Sequence, residues 1–214
     1  MNKADTLLRL RDVGVVAVLR APDAEGAVRA VAALLAGGIR AIEITYTTPA
    51  AGEVIASLAG QSDVDIVLGA GTVLTPEQAA EAAAAGAQFV VTPGTTPALA
   101  AAIVATEAAA ILGAFIPSEV IDVLAMGADA VKIFPASVGG PRYLKALRGP
   151  MPDVPLMPTG GVTTDNVGEW LDAGALCVGA GGELCSAAMI ANGEWDEIER
   201  RAAAFAHAVK TART

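Results

Sequence analysis

Aromatic side chains make up only 4% of this 214-residue chain, which also has one histidine, two cysteines and four lysines. Each scarcity excludes something. With His207, Cys177 and Cys185 as the only imidazole and thiol ligands, a zinc site has little to be built from. Two cysteines cannot make a disulfide framework and suit a reduced compartment as small buried residues. His207 lies in an Ala-rich C-terminal stretch, where a surface or packing role fits better than catalysis. Positive charge is also short. The 14 Lys and Arg face 23 Asp and Glu, for a formal net charge of −9, and no basic cluster occurs, which argues against a nucleic-acid partner. No apolar run approaches the ~18 residues of a membrane span. The opening MNKADTLLRLRD is charged throughout and lacks a signal-peptide core, so a cytoplasmic location is expected.

What the chain does have is aliphatic: 54% hydrophobic residues, rich in Ala, Val, Leu and Gly. Short apolar runs alternate with Ala-rich amphipathic runs. The strand candidates are Val15–Arg20, Ala41–Thr45, Asp65–Leu68, Gln88–Thr92, Ala109–Leu112, Ala130–Phe134, Pro155–Thr159 and Ala175–Gly179. A helix candidate follows each: Ala24–Ala36, Ala50–Ala59, Pro76–Ala85, Thr96–Ala105, Pro117–Met126, Gly140–Leu147, Asp165–Ala173 and Glu194–Val209. A further helix, Lys3–Arg11, precedes the first strand. Strands that are apolar on both faces, each followed by a helix, argue for a parallel sheet. Glycines before Ile39, Phe89, Val131 and Cys177 have the look of C-caps leading into the next strand. The expectation is an α/β fold: one (β/α)8 TIM barrel spanning 1–214, with an extra N-terminal helix. A doubly wound open sheet is the runner-up.

The stretch Ala128–Ser137, ADAVKIFPAS, places a lysine in the middle of an apolar strand. Alternation puts Ala130, Lys132 and Phe134 on one face. Two readings fit. Desolvation lowers a lysine pKa, and a neutral amine can form a Schiff base with a ketone. Alternatively the stem packs while the ammonium reaches water. The other strand ends weigh on this choice, because a barrel places its active site at their C-terminal side. Strand one ends in Arg20 and strand two carries Glu43, so three charges converge on an apolar interior. An internal ion network is the bland reading of that set, but such networks are weak evidence for stability. A site is the sharper one.

The chemistry of the set suits a 2-keto acid. Lys132 is the candidate nucleophile for the ketone, Arg20 the fork for the carboxylate, and Glu43 the proton carrier. A protonated imine is an electron sink, so C–C cleavage next to it leaves an enamine, and no metal or cofactor is needed. Gly160, Gly161, Gly181 and Gly182 follow strands seven and eight, where barrel loops often bind phosphate through backbone N–H groups. Glycines at strand ends are also ordinary turn residues.

VVAVLR, IEITYTTP, GAGTVLTPEQ, GAQFVVTPG, VKIFPAS, MPTGGV and CVGAGGEL, in order from about Val15 to Leu184, closely resemble the 2-keto-3-deoxy-6-phosphogluconate (KDPG) aldolases, which also act on 4-hydroxy-2-oxoglutarate (KHG). The resemblance implies a homotrimeric (β/α)8 aldolase that releases pyruvate. It places the Schiff-base lysine on Lys132 and the acid/base glutamate on Glu43. The pyruvate pocket falls on Thr72, Pro93, Phe134 and Thr159, and the phosphate loops on Gly160, Gly161, Gly181 and Gly182.

The chain also departs from the family pattern. One branch has an arginine where Thr47 stands; a second has one at the end of strand one, which Arg20 matches. The phosphate loop usually has a serine where Gly182 stands, and Glu183 follows it. The family's PGVxTPSE reads LGAFIPSE here, so Leu112 and Ile116 are expected to make one pocket edge more apolar. The implied substrate is a 2-keto-3-deoxy sugar acid, KDPG first, with an unphosphorylated 2-keto-4-hydroxy acid such as KHG as the alternative. A phosphosugar epimerase or isomerase is a reading from another class, but it calls for paired acids or a metal. A non-catalytic binder requires Lys132 to stay protonated and paired with Glu43.

Overall fold

The computed structural model describes residues 2–61 and 65–213. Eight strands form one parallel sheet: β1 Val15–Leu19, β2 Ala41–Thr45, β3 Val67–Gly71, β4 Phe89–Val91, β5 Ala109–Ala114, β6 Ala130–Ile133, β7 Leu156–Pro158 and β8 Val178–Ala180. Neighbours run β7-β6-β5-β4-β3-β2-β1-β8, and a Thr159–Gly179 bridge joins the two outer strands, closing the barrel. The helices are α1 Lys3–Val13, α2 Ala24–Ala36, α3 Ala51–Ala59, α4 Pro76–Ala84, α5 Pro97–Val104, α6 Pro117–Ala125, α7 Gly140–Arg148, α8 Val167–Asp172, α9 Ala187–Ala191 and α10 Trp195–Thr211. The (β/α)8 fold with its N-terminal helix is as expected, and the open sheet falls away.

Local chemistry explains most boundaries. Asp23 caps α2 by accepting from the Gly26 N–H at 2.7 Å. α4 and α5 each begin with a threonine cap followed by proline, whose missing N–H is no loss in the first turn. The expected glycine turns are present: Gly38, Gly86, Gly127 and Gly174 all have φ of 91° to 98°.

Alternation along the strands sorts the side chains into two cores. Val15, Ala17, Leu19, Ile42 and Ile44 face outward and pack under the helices. Val16, Ala41, Val67, Phe89, Ile111, Ala130 and Met157 fill the barrel interior, where α1 plugs the N-terminal end with Leu10. The interior is therefore apolar below and leaves its C-terminal layer to Glu43, Lys132 and Thr159.

The structure differs from the sequence reading in several places. β3 starts at Val67 and runs to Gly71, so the glycines expected to be a loop are strand. β8 begins at Val178, because the Ala175 N–H is taken by Trp170 O as α8 ends. Two short elements were not anticipated: α9, capped by Ser186, and a 3-10 turn at Ala136–Val138. Leu112 faces the outer core and not the barrel interior; Gly113 is the inward residue. Ile116 sits 45% exposed at the start of α6.

Candidate active site

Glu43 and Lys132 meet inside the C-terminal layer. Glu43 is 0% and Lys132 1% exposed, and Lys132 Nζ lies 3.9 Å from Glu43 Oε1. Among the described residues neither oxygen of Glu43 has a hydrogen-bond partner, and its ion pair is with the Lys132 ammonium. Burial pushes the Glu43 carboxyl above its ordinary range, and the pull of Lys132 and then Arg20 offsets only part of that. The ring of Phe134 lies under the amine, with Nζ 5.1 Å from its centroid. A buried carboxyl whose pKa is raised, beside a lysine, can both take and give a proton.

Small residues on neighbouring strands make room for these groups. A Cβ at Gly179 would lie 2.3 Å from Thr159 Oγ1, and one at Gly71 only 1.8 Å from Glu43 Oε1. Thr159 is 3% exposed, and its hydroxyl has no partner among the described residues. An unsatisfied buried hydroxyl is costly to keep unless something else uses it.

Lys132 is registered against Gly113 of β5, and a ring of hydroxyls fixes that neighbour. The Gly113 N–H donates to Thr92 Oγ1 at 2.8 Å, Thr92 and Thr95 hydroxyls meet at 3.0 Å, and Thr95 Oγ1 donates to Gly113 O at 3.0 Å. With Thr92 already accepting from Gly113 and Thr95 donating to it, Thr92 is the donor between the hydroxyls. The T-P-G-T spacing after β4 is the signal that sequence reasoning left unused. Pro93, Thr95, Gly113 and Phe134 also border a cleft of about 310 Å³ that opens beside α6.

Arg20 departs from expectation. It is exposed at the rim, with no ion pair among the described residues, so there is no three-member ion network. A Cβ on Gly181 would stand 3.2 Å from its Nη1, which places the guanidinium against the β8 loop. Threonines of the strand-two motif hold the backbone on either side of it. Thr45 Oγ1 donates to Leu19 O at 2.9 Å, Thr47 meets Thr45 at 2.7 Å, and Thr48 Oγ1 accepts from the Ala21 N–H at 3.1 Å. Thr47, standing where one branch has arginine, thus contributes to the support of Arg20.

The remaining candidates ring the opening. Thr72 follows β3 with φ of 53°, a left-handed conformation that few threonines adopt. Gly160 and Gly161 have φ of 100° and 75°; Gly160 lies beside Phe134 and Gly161 against Ser137. Gly181 O accepts from the N–H groups of Leu184 and Cys185, which makes the β8 loop a tight turn. Arg201, paired with Glu197, donates to Glu183 O at 3.0 Å and braces that turn from α10. Gly182 is exposed, and a Cβ there would meet nothing within 4 Å. Cys177 and Cys185 are buried, and burial pushes both thiols up to about 12. No group of three or more His, Cys, Asp or Glu that could hold a metal occurs among the described residues.

The family model "KDPG and KHG aldolase" matches residues 7–201. The chain belongs to the KDPG and KHG aldolase family. It is 38% identical to a 2-dehydro-3-deoxy-phosphogluconate aldolase of Treponema pallidum, over 91% of each chain. It is 33% identical to a 2-dehydro-3-deoxy-6-phosphogalactonate aldolase of Escherichia coli, covering 92% of this chain and 95% of that one. Among solved structures, the KDPG aldolase of Legionella pneumophila, with pyruvate captured as a covalent carbinolamine, superposes with a TM-score of 0.86. That pair shares 35% identity over 94% of this chain and 97% of the other. The aldolase expected from the motifs is thus what the chain is; the epimerase and binder readings lose their ground.

Proposed function

We propose that this aldolase cleaves a 2-keto-3-deoxy-6-phospho sugar acid to pyruvate and a phosphorylated aldehyde, with Lys132 as the Schiff-base nucleophile. The carrying observation is the fully buried Lys132–Glu43 pair at 3.9 Å, with neither carboxyl oxygen hydrogen-bonded among the described residues. Lys132 gives a proton to Glu43, its Nζ attacks C2 of the keto acid, and the carbinolamine loses its hydroxyl as water to give the protonated imine. Glu43, directly or through a water, supplies the proton for that loss and then takes one from the C4 hydroxyl. The C3–C4 bond breaks, the aldehyde leaves, and the electron pair moves onto C3 of the enamine. Protonation at C3 and hydrolysis of the imine release pyruvate and restore the amine.

Arg20 is assigned to the substrate carboxylate, Thr159 and Thr72 to the keto-acid end, and Pro93 and Phe134 to the wall around the imine. Gly160, Gly161, Gly181 and Gly182 are assigned to the phosphate through their backbone N–H groups. A homotrimer and a cytoplasmic location belong to the same proposal; a solution mass three times that of one chain is expected. Among the described residues no helix is long and apolar enough to cross a membrane. Without a serine at 182 the phosphate end rests on backbone alone, so the unphosphorylated 2-keto-4-hydroxy acids are the second reading.

Borohydride reduction in the presence of pyruvate, followed by peptide mass spectrometry, tests the assignment. An adduct on Lys132 that is absent from Lys132→Ala is expected. No adduct on folded protein overturns it.

A further inference from the structure

Three inward positions of β3 alternate as Val67, Gly69 and Gly71, so the strand is stripped of side chains in the upper barrel. Each glycine yields its volume to a neighbouring strand. A Cβ at Gly69 would lie 2.4 Å from the Phe89 ring, and a Cβ at Gly71 would lie 1.8, 2.2 and 2.3 Å from Oε1, Cδ and Cγ of Glu43. Glu43 is registered opposite Gly69, yet its carboxyl lies over Gly71, because its side chain leans along the strand toward the barrel mouth.

Gly71 has no left-handed φ, so glycine there answers to space and not to backbone conformation. Its backbone cannot retreat either. It pairs with Thr45 in the sheet, and its carbonyl accepts from the Tyr46 N–H at 2.8 Å. Glu43 for its part has no hydrogen bond to either oxygen among the described residues. Its place is set by walls and by the ammonium of Lys132 at 3.9 Å.

We infer that Gly71 is the positioning residue that seats the Glu43 carboxyl beside Lys132. This rests on the reading of Glu43 as the proton carrier. A methyl group at 71 leaves one way to relieve the overlap: the carboxyl swings out of its seat. The proton relay is then lost while the lysine, the barrel and the mouth are untouched.

A double-mutant cycle tests this with four full-length proteins: wild type, Gly71→Ala, Glu43→Ala and the double variant. For each, the rate of borohydride trapping of pyruvate on Lys132, its pH profile and the thermal midpoint are measured. Positioned acid–base groups contribute about 10²-fold or more. Gly71→Ala is therefore expected to slow trapping by about 100-fold, to the level of Glu43→Ala, and to lose the same limb of the pH profile. In the Glu43→Ala background the three atoms nearest that methyl are gone, and it is expected to change neither rate nor midpoint. Should Gly71→Ala fail to fold, a double variant that folds supports the seat, and one that does not overturns it. A wild-type rate in Gly71→Ala, or an equal loss in both backgrounds, also overturns it. A wild-type rate in Glu43→Ala instead removes the role given to Glu43 itself.

Discussion

Replacing Lys132 with methionine keeps the length and apolar stem of the side chain and deletes only its ammonium. Lys132 is 1% exposed, so the new side chain stays buried, and Glu43 loses the charge 3.9 Å from its Oε1. Burial already holds the Glu43 carboxyl above its ordinary 4.5, with Lys132 the larger of the two groups pulling it back. Without the lysine the carboxyl rises further. An acid whose folded pKa is raised keeps its proton in the folded state after the unfolded chain has released it. Stability therefore falls as pH climbs above the unfolded value, and stops falling where the folded carboxyl ionises.

Wild type and variant fall together until the pH passes the wild-type carboxyl. Beyond that point only the variant still holds the extra proton. Its deficit widens by about 1.4 kcal/mol for each further pH unit. For a chain of this size that is about 3–6 °C of midpoint per pH unit. Two units bring the deficit to about 3 kcal/mol, the scale reported for removing one member of a buried ion pair. Calorimetry at pH 5, 6, 7 and 8 on wild type, Lys132→Met and Lys132→Met/Glu43→Gln checks this. The single variant should diverge from wild type as pH rises, and the double variant should run parallel to wild type once the wild-type carboxyl has ionised. A deficit that does not change with pH, or a double variant that still diverges, refutes the claim that Lys132 is what keeps Glu43 ionisable.

Three further outcomes follow from the geometry. Thr159→Val removes a buried hydroxyl that has no partner in the described structure, so the midpoint should hold or rise; the KM for the keto acid should rise about tenfold, one hydrogen bond's worth. Phe89→Ala empties the ring that fills the space left by Gly69, costing about 3–5 kcal/mol; calorimetry should show the loss while pyruvate still traps on Lys132 in the folded variant. Gly182→Ser adds a hydroxyl where a Cβ meets nothing within 4 Å; steady-state kinetics should show a lower KM for the phosphorylated substrate and no change for its unphosphorylated counterpart, and a uniform change removes the phosphate from that loop.

How far the site could be read from the residues depended on what each residue signals. A period of two put Glu43 and Lys132 on inward faces, because the alternation of β2 and β6 is carried by Ile, Val and Ala around them. The same period, counted from Ala109, sends Leu112 outward and Gly113 inward; matching that segment to a family motif hid what the alternation already said. β3 and β8 were misplaced by two or three residues because glycine carries no side chain to show a period. Arg20 sits one step beyond β1, where alternation no longer constrains a side chain that can reach the rim. The seat of Glu43 is the extreme case. A glycine in a sequence records that a Cβ is absent but not whose atoms occupy its place, and at Gly71 the occupant comes from another strand, 28 residues earlier in the chain. Such a pair is invisible to composition, period and motif alike, yet it sets where the proton carrier stands. The glycines of a barrel's upper layer are therefore as much a part of the site's geometry as the charges they make room for.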